Sequence, residues 1–480
     1  MSQDTTPSTQ DQWQFWVDRG GTFTDIVALR PDGYLLTHKL LSENPQHYAD
    51  AAIEGIRQLQ ATHSQFSAQI ANVKMGTTVA TNALLERKGD EVVLLISKGL
   101  GDQLAIGYQT RPDIFATHIQ RSQPLYCHQY EVAERVLADG SVDLALDIET
   151  TLVQLEEAYT LGFRSVAVVL MHSYQYPQHE LVIADIARHV GFSQISLSHQ
   201  ISPLIKLVPR GDTTVADAYL SPVLQRYVEQ VSRALPPTNL QFMQSNGGLA
   251  QASDFSGKDA ILSGPAGGVV GMVRSAEADG FNRIVGFDMG GTSTDVSHYA
   301  GELERQTETQ IGGVRLRVPM MNIHTVAAGG GSIVRFADGR LQVGPESAGA
   351  FPGPACYRNG GPLTITDCNV FLGKIQPSYF PHVFGPEQNQ PLDRDTVVKE
   401  LTVLAEEVSA TTGRHYTAAQ LAEGFIAIAV DSMAAAVKKI SVQRGYDIQS
   451  YVLSAFGGAG GQHACLVAEA LGMSRVYLHP

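Results

Sequence analysis

The sequence predicts an α/β protein built from two related domains, and three observations carry that expectation. An Asp-x-Gly-Gly-Thr-x-Thr-Asp core occurs twice with identical spacing, at Asp18–Asp25 and Asp288–Asp295. Each copy follows an apolar stretch and precedes another, so each reads as a strand, a Gly-Gly turn and a second strand. After Ile148, helical and strand patterns alternate, as in a sheet covered by helices. Glycine, 46 residues of 480, clusters in turns after apolar strands. Internal duplication of this kind is a signature of architecture, and a chain of this length exceeds a single core.

Taken in order, residues 1–12 read as a disordered tail. Trp13–Asp18, Thr22–Arg30 and Tyr34–Leu40 read as three consecutive strands, and Asn44–Leu59 as a helix with Pro45 in its first turn. Val73–Gly89 reads as a short strand, a Gly-Thr-Thr turn and a helix capped by Thr77 or Thr78. Val92–Ser97 is a buried strand, followed by a loop with Arg111 that could contact a substrate. Residues 126–150 give no clear pattern. Helix 148–161, strand 165–171, helix 177–189 and strand 194–197 form the alternating run. A boundary is expected at 202–209, dividing the chain into domains 13–202 and 203–480. Asp212–Ala234 reads as a long helix interrupted at Ser221-Pro222, and Leu240–Gln244 as a strand. The small-residue run Ser263–Gly271 suits either a close helix contact or a ligand contact. Asn322–Ser332 is a strand entering a triple glycine, Gly344–Asp367 a structured functional loop, and Ala418–Val442 a long helix. Tyr451–Ala455 is a strand whose Gly-rich turn, Phe456–His463, opens the last helix.

The candidate site residues follow from this layout. Gly20 and Gly21, and again Gly290 and Gly291, allow backbone N–H groups to approach a phosphate. Thr22, Thr24, Thr292 and Thr294 offer hydroxyl donors. Asp18, Asp288 and Asp295, with Asp25, are carboxylates suited to a hydrated Mg²⁺, although Arg19 is an alternative partner for Asp18. Gly329, Gly330 and Gly331, and then Gly457, Gly458 and Gly460, extend the same backbone chemistry to two more turns. The alternative is that each motif is an ordinary tight hairpin. A helix N-terminus gives an anion only about 0.3–1 kcal/mol, whereas micromolar binding needs roughly 8 kcal/mol, so several loops must converge. The spacings match neither a P-loop nor a dinucleotide-binding fingerprint.

Composition narrows the classes of partner. A net charge of −14 argues against nucleic acid and anionic membranes, which demand basic surfaces. The four cysteines are scattered without a C-x-x-C, so neither a zinc site nor a disulfide framework is expected. No apolar run approaches the ~20 residues of a membrane span. The first twelve residues are unlike a signal peptide, so a cytoplasmic location is expected.

The two hairpins and the Phe-Gly-Gly-Ala-Gly-Gly turn resemble the sugar kinase/actin/heat-shock ATPase fold, whose duplicated ribonuclease-H-like halves hold ATP in a cleft. Longer stretches are similar to the hydantoinase A/5-oxoprolinase family: Asp18–Asp25, Met75–Gly89, Leu262–Gly271, Gly286–Asp295, Thr325–Ser332 and Gly344–Tyr357. Within the family, Leu41–Pro45, Val168–Tyr174 and Gly457–Ala464 look like the ATP-hydrolysing 5-oxoprolinases. The resemblance implies opening of a cyclic amide, 5-oxo-L-proline to L-glutamate, in glutathione metabolism, with ATP and Mg²⁺ as cofactors. It also implies a hydantoinase B-type polypeptide or domain as partner, in a homo- or hetero-oligomer. Asp18 and Asp288 are the candidate catalytic residues. Because family members continue beyond a point like His479-Pro480, the chain is expected to be a truncated or split A half. A hydantoinase A-type subunit acting on hydantoins, a small-molecule kinase and an ATP-switched binding module of the same fold remain alternatives.

Overall fold

Both copies of the repeated motif fold as hairpins with the same register. In the computed structural model, strand Trp13–Arg19 pairs antiparallel with Phe23–Leu29, and Asp18 lies directly across from Asp25. Strand Ile284–Met289 pairs antiparallel with Thr294–Tyr299, and Asp288 lies directly across from Asp295. The structure describes residues 12–21, 23–42, 44, 47–109, 115, 117–118, 123–385, 387 and 389–479. The expectations for the tail (1–11), Thr22, Pro45 and Arg111 lie outside the described residues.

The chain forms two compact units: Met1–Gly264 with Arg305–Met320, and Pro265–Glu304 with Met321–Pro480. The boundary expected at 202/203 therefore does not coincide with a division between units. The reason is the helix Leu207–Ala234, which is packed into the first unit along its length.

The first unit contains two main sheets. One is mixed, in the order Leu249–Gln251, Asn239–Met243, Ile70–Thr77, Trp13–Arg19, Phe23–Leu29, Leu35–Leu41. Its core face follows the two-residue period of a strand: Trp13, Phe15 and Val17 are buried, as are Ile26 and Ala28, under the helix Ala51–Thr62. That helix is capped by Asp50, whose carboxylate accepts from Ile53 N, so it starts later than the expected Asn44. The other sheet is wholly parallel, in the order Gln194–Leu197, Ser165–Val169, Val92–Ser97, Tyr126–Val132. Both faces are covered, which is why Val92–Ser97 is an unbroken buried run. Helices Ile148–Thr160 and Gln178–Val190 cover one face, and the first half of Leu207–Ala234 covers the other.

Helix Leu207–Ala234 passes through Pro222 without interruption. Proline cannot donate to the carbonyl four residues earlier. That carbonyl, Ala218 O, accepts instead from Ser165 Oγ at 2.5 Å. The helix then serves two cores, with Val215–Leu220 in that of the parallel sheet and Leu224–Val231 in that of the mixed sheet.

The second unit holds one mixed sheet in the order Ile323–Val326, Thr294–Tyr299, Ile284–Met289, Val452–Phe456, Val476–Leu478. Each mixed sheet thus contains a three-stranded antiparallel meander whose first strand pairs in parallel with one later strand, which pairs in parallel with a second. Helices Ala418–Ile440 and Gly460–Leu471 contribute to the larger core, and the helix Ser263–Ala278 contributes Val269, Met272 and Val273 to a smaller one. Sequence reasoning did not identify the hairpin Ser332–Ala337 with Arg340–Ser347, or the helix Arg394–Thr412.

Candidate functional site

In the second unit, three of the glycine-rich segments converge. The hairpin turn closes with Gly290 N donating to Ser293 O at 3.0 Å. The triple glycine lies along it, with Gly330 N donating to Gly290 O at 3.0 Å and Gly331 N to Gly291 O at 2.6 Å. The segment after Phe456 closes on the strand, with Ala459 N donating to Met289 O at 2.9 Å. The glycines are required by these approaches: a Cβ on Gly329 would stand 2.7 Å from Ser293 N, and one on Gly331 would stand 2.9 Å from Gly291 O. Gly457 has φ +80°, and a Cβ there would collide with Asp288 Oδ1. The Asp288 carboxylate is half-buried and also faces Gly268, whose Cβ position lies 3.6 Å from Oδ2.

Other candidates lie open. Gly291 and Thr292 are exposed at the hairpin tip. A Cβ at Gly458 would meet no described atom within 4 Å, whereas one at Gly460 would lie 3.6 Å from Phe287 O. Gly460 opens a helix of 12 residues, so free N–H groups and the positive end of its dipole lie beside the turn.

Two of the predicted donors are corrected. Thr294 is fully buried, and its hydroxyl donates to Ala328 O, fastening the hairpin to the chain ahead of the triple glycine. Thr24 is also fully buried, and its Oγ1 lies 3.0 Å from Ser42 Oγ, which in turn donates to Gly20 O at 2.7 Å. Both hydroxyls support their turns from beneath. The alternation of each strand carries that signal, because Thr24 shares a face with Ile26 and Ala28.

In the first unit, the hairpin turn closes with Gly20 N donating to Phe23 O at 3.1 Å, and a Cβ at Gly21 would meet nothing described within 4 Å. Asp18 faces Gly76 and Gly264, with Oδ1 3.3 Å from the Cβ position of each. Although water reaches its side chain, desolvation by this crowding raises its pKa, as does Asp25 across the ladder, while Lys39 opposes the shift. Lys39 holds Asp25 at 2.7 Å. Arg19 does not take Asp18: it reaches Asp50 at 3.5 Å and lies over the Tyr227 ring. Of the two threonines expected to cap the next helix, Thr77 Oγ1 accepts from Val79 N at 3.2 Å, whereas Thr78 Oγ1 donates to Arg19 O and makes no cap bond. The helix that follows, Val79–Leu85, stops short of Gly89.

Cross-strand neighbours directly opposite share a face of the sheet, so Asp288 and Asp295 stand together, as do Asp18 and Asp25. Asp295 accepts from Thr325 Oγ1 at 2.5 Å; desolvation raises its pKa and that bond lowers it. Among the described residues, no group of three or more His, Cys, Asp or Glu gathers as a metal cage. One or two carboxylates beside glycine turns fit Mg²⁺, which keeps several waters and is completed by phosphate oxygens.

Sequence reasoning missed the helix Ile365–Phe371. Thr366 donates to Gly330 O through its N at 2.7 Å and its Oγ1 at 2.9 Å. One turn later, Asn369 Nδ2 donates to Gln462 Oε1 at 3.0 Å and lies 2.9 Å from His463 Nε2. This helix brackets the triple glycine and the last glycine turn together. Its local signal was the Thr364-x-x-Asp367 capping box.

Mixed sheets built on a repeated hairpin, with helices packed against them, define an α/β protein, and the family is shown by comparison. The hydantoinase/oxoprolinase N-terminal region matches residues 14–191, and hydantoinase/oxoprolinase matches residues 210–480. The chain belongs to the hydantoinase/oxoprolinase family. It is 42% identical to the 5-oxoprolinase of Dictyostelium discoideum over 521 residues, covering 97% of this chain and 41% of that protein. The crystal structure of the ATP-dependent caprolactamase from Pseudomonas jessenii is 30% identical with a TM-score of 0.79, over 97% of this chain and 68% of that one. Nucleotide-free acetone carboxylase shares the fold, with a TM-score of 0.80 at 24% identity over 96% of this chain and 68% of that one. The chain spans about two fifths of the length of the 5-oxoprolinase it matches. No helix among the described residues is long and apolar enough to cross a membrane.

Proposed function

We propose that this chain is the ATP-using, lactam-phosphorylating part of a cyclic-amide hydrolase, with 5-oxo-L-proline as substrate and L-glutamate as product. The observation that carries this reading is the convergence, in the second unit, of the Gly290-Gly291 turn, the triple glycine and the Phe456–His463 turn around Asp288. The names of the relatives supply the substrate class, and the repeated hairpins favour an actin-like ATPase fold. Bound MgATP supplies the chemistry a stable five-membered lactam lacks, a phosphoryl group that turns the amide oxygen into a leaving group.

The residues contribute positioning and charge neutralisation. Gly291 and Gly458 present backbone N–H groups to phosphate, with Thr292 as an exposed donor; Gly20 and Gly21 offer the same chemistry in the first unit. Asp288, with Asp295 on the same face, is the metal-orienting carboxylate, and Asp18 is its counterpart in the first unit. We assign ring opening to joint action with a hydantoinase B-type polypeptide, in a cytoplasmic assembly serving glutathione metabolism.

Two variants and a reconstitution test the reading. Gly291→Val should abolish ATP binding, measured by calorimetry, while circular dichroism stays unchanged; unchanged affinity in the folded variant removes the site from this turn. Asp288→Asn should lower turnover at least a hundredfold with ATP affinity held within tenfold, and normal turnover overturns the metal role. The purified chain should bind MgATP but form glutamate only when a B-type partner is added. Glutamate formed stoichiometrically with ADP by the chain alone would place the hydrolytic groups here.

A further inference from the structure

We propose that Phe351 is a specificity-determining residue, packing its ring on the ring of the cyclic-amide substrate; the inference rests on the function proposed above. Phe351 stands at the tip of a short arch, Ala348–Gly353, in the loop that the sequence marks as functional. The arch is seated on the triple glycine, with Ala348 N donating to Gly331 O at 2.9 Å. It closes on itself, with Gly353 N donating to Ala348 O at 3.2 Å. Gly353 has φ +77°, and a Cβ there would stand 3.0 Å from Ala350 O, so the foot of the arch has little freedom. Just beyond it, Ala355 N and Cys356 N donate to the buried Asp367 carboxylate at 3.1 and 2.8 Å. Tyr357 packs on Phe384 with centroids 4.3 Å apart.

A loop fastened at both feet therefore holds a phenyl ring 83% exposed. A large apolar ring kept in water by an ordered loop, beside a candidate active site, is suited to meet a ligand. Position along the triple glycine indicates which ligand. Gly330 neighbours the last glycine turn, its Cβ position lying 3.7 Å from Ala459 Cβ, whereas Gly331 carries the arch. The arch thus flanks the end of the triple glycine that is bonded to Gly291, the exposed hairpin tip proposed above to meet phosphate. A molecule meeting Phe351 there is the phosphoryl acceptor, not the base. A small lactam presents a flat amide and an apolar CH₂ edge, and both faces suit an aromatic ring.

Calorimetry on the full chain tests this, using a non-hydrolysable MgATP analogue and then 5-oxo-L-proline at saturating analogue. Wild type should bind both. Phe351→Ala should keep analogue affinity within twofold and weaken lactam binding at least tenfold, while Phe351→Tyr should stay within threefold of wild type for both. Unchanged lactam affinity in Phe351→Ala, with wild type binding normally, overturns the role of Phe351 alone. Loss of analogue affinity in that variant also overturns it, by moving the ring to the nucleotide. A wild type that binds the analogue but no lactam overturns the substrate reading, and this inference with it.

Discussion

His463 is fully buried at the start of the last helix, with Nε2 facing the Asn369 side-chain amide at 2.9 Å. Burial, seconded by the Lys374 charge, pushes its pKa down from 6.5 to about 4. The folded state therefore binds fewer protons than the unfolded chain between these values. The stability contributed by neutral His463 is fully present above about pH 6.5 and is lost as pH falls toward 4. At about 1.4 kcal/mol per pH unit, the loss amounts to roughly 3 kcal/mol. Urea unfolding of wild type between pH 7 and 4.5 should show this decline, and His463→Gln should flatten it. An equal decline in the variant would assign the pH dependence to other groups.

The short helix Ile365–Phe371 is the element through which two glycine turns are registered. Thr366→Val removes the Oγ1 bond to Gly330 O and keeps the backbone one. The variant should lose about 1 kcal/mol of stability in thermal melts, and ATP affinity measured by calorimetry should fall, by at most roughly fivefold, as the triple glycine loses that bracket. An unaltered affinity would mean that the triple glycine holds its shape without the bracket. The hairpins were legible in the sequence because their chemistry is local: glycine turns, strand alternation and a repeated spacing are all written within a dozen residues. The bracket was not, because Thr366 and Asn369 meet partners separated by 36 and 93 residues, and nothing in a local pattern shows such bonds. Thr24 and Thr294 misled for a related reason. A hydroxyl beside a glycine turn reads as a ligand donor, while the strand period that turns it inward is visible only when the whole strand is counted. The helix after Asn44 was placed too early because Pro45 suggested a first turn, whereas Asp50 supplies the cap.

Across the first unit, helix Leu207–Ala234 lends its first half to the core of one sheet and its second half to the core of the other. The two sheets should therefore unfold together. Leu220→Ala and Leu224→Ala, each emptying a fully buried site, should cost about 2–4 kcal/mol apiece. In either variant, hydrogen exchange should speed up in both Val92–Ser97 and Trp13–Arg19; acceleration confined to one sheet would make the halves independent. In the second unit, the hairpin Ile284–Tyr299 pairs within itself, but its inner strand is completed only by Val452–Phe456, far along the chain. Synthesis runs from N- to C-terminus, so the hairpin leaves the ribosome long before that partner exists. Throughout the interval, the backbone of Ile284–Asp288 presents an unmatched edge, a template for any passing strand. The sheet that carries the glycine turns thus keeps an open edge in the newborn chain until Val452–Phe456 has been made.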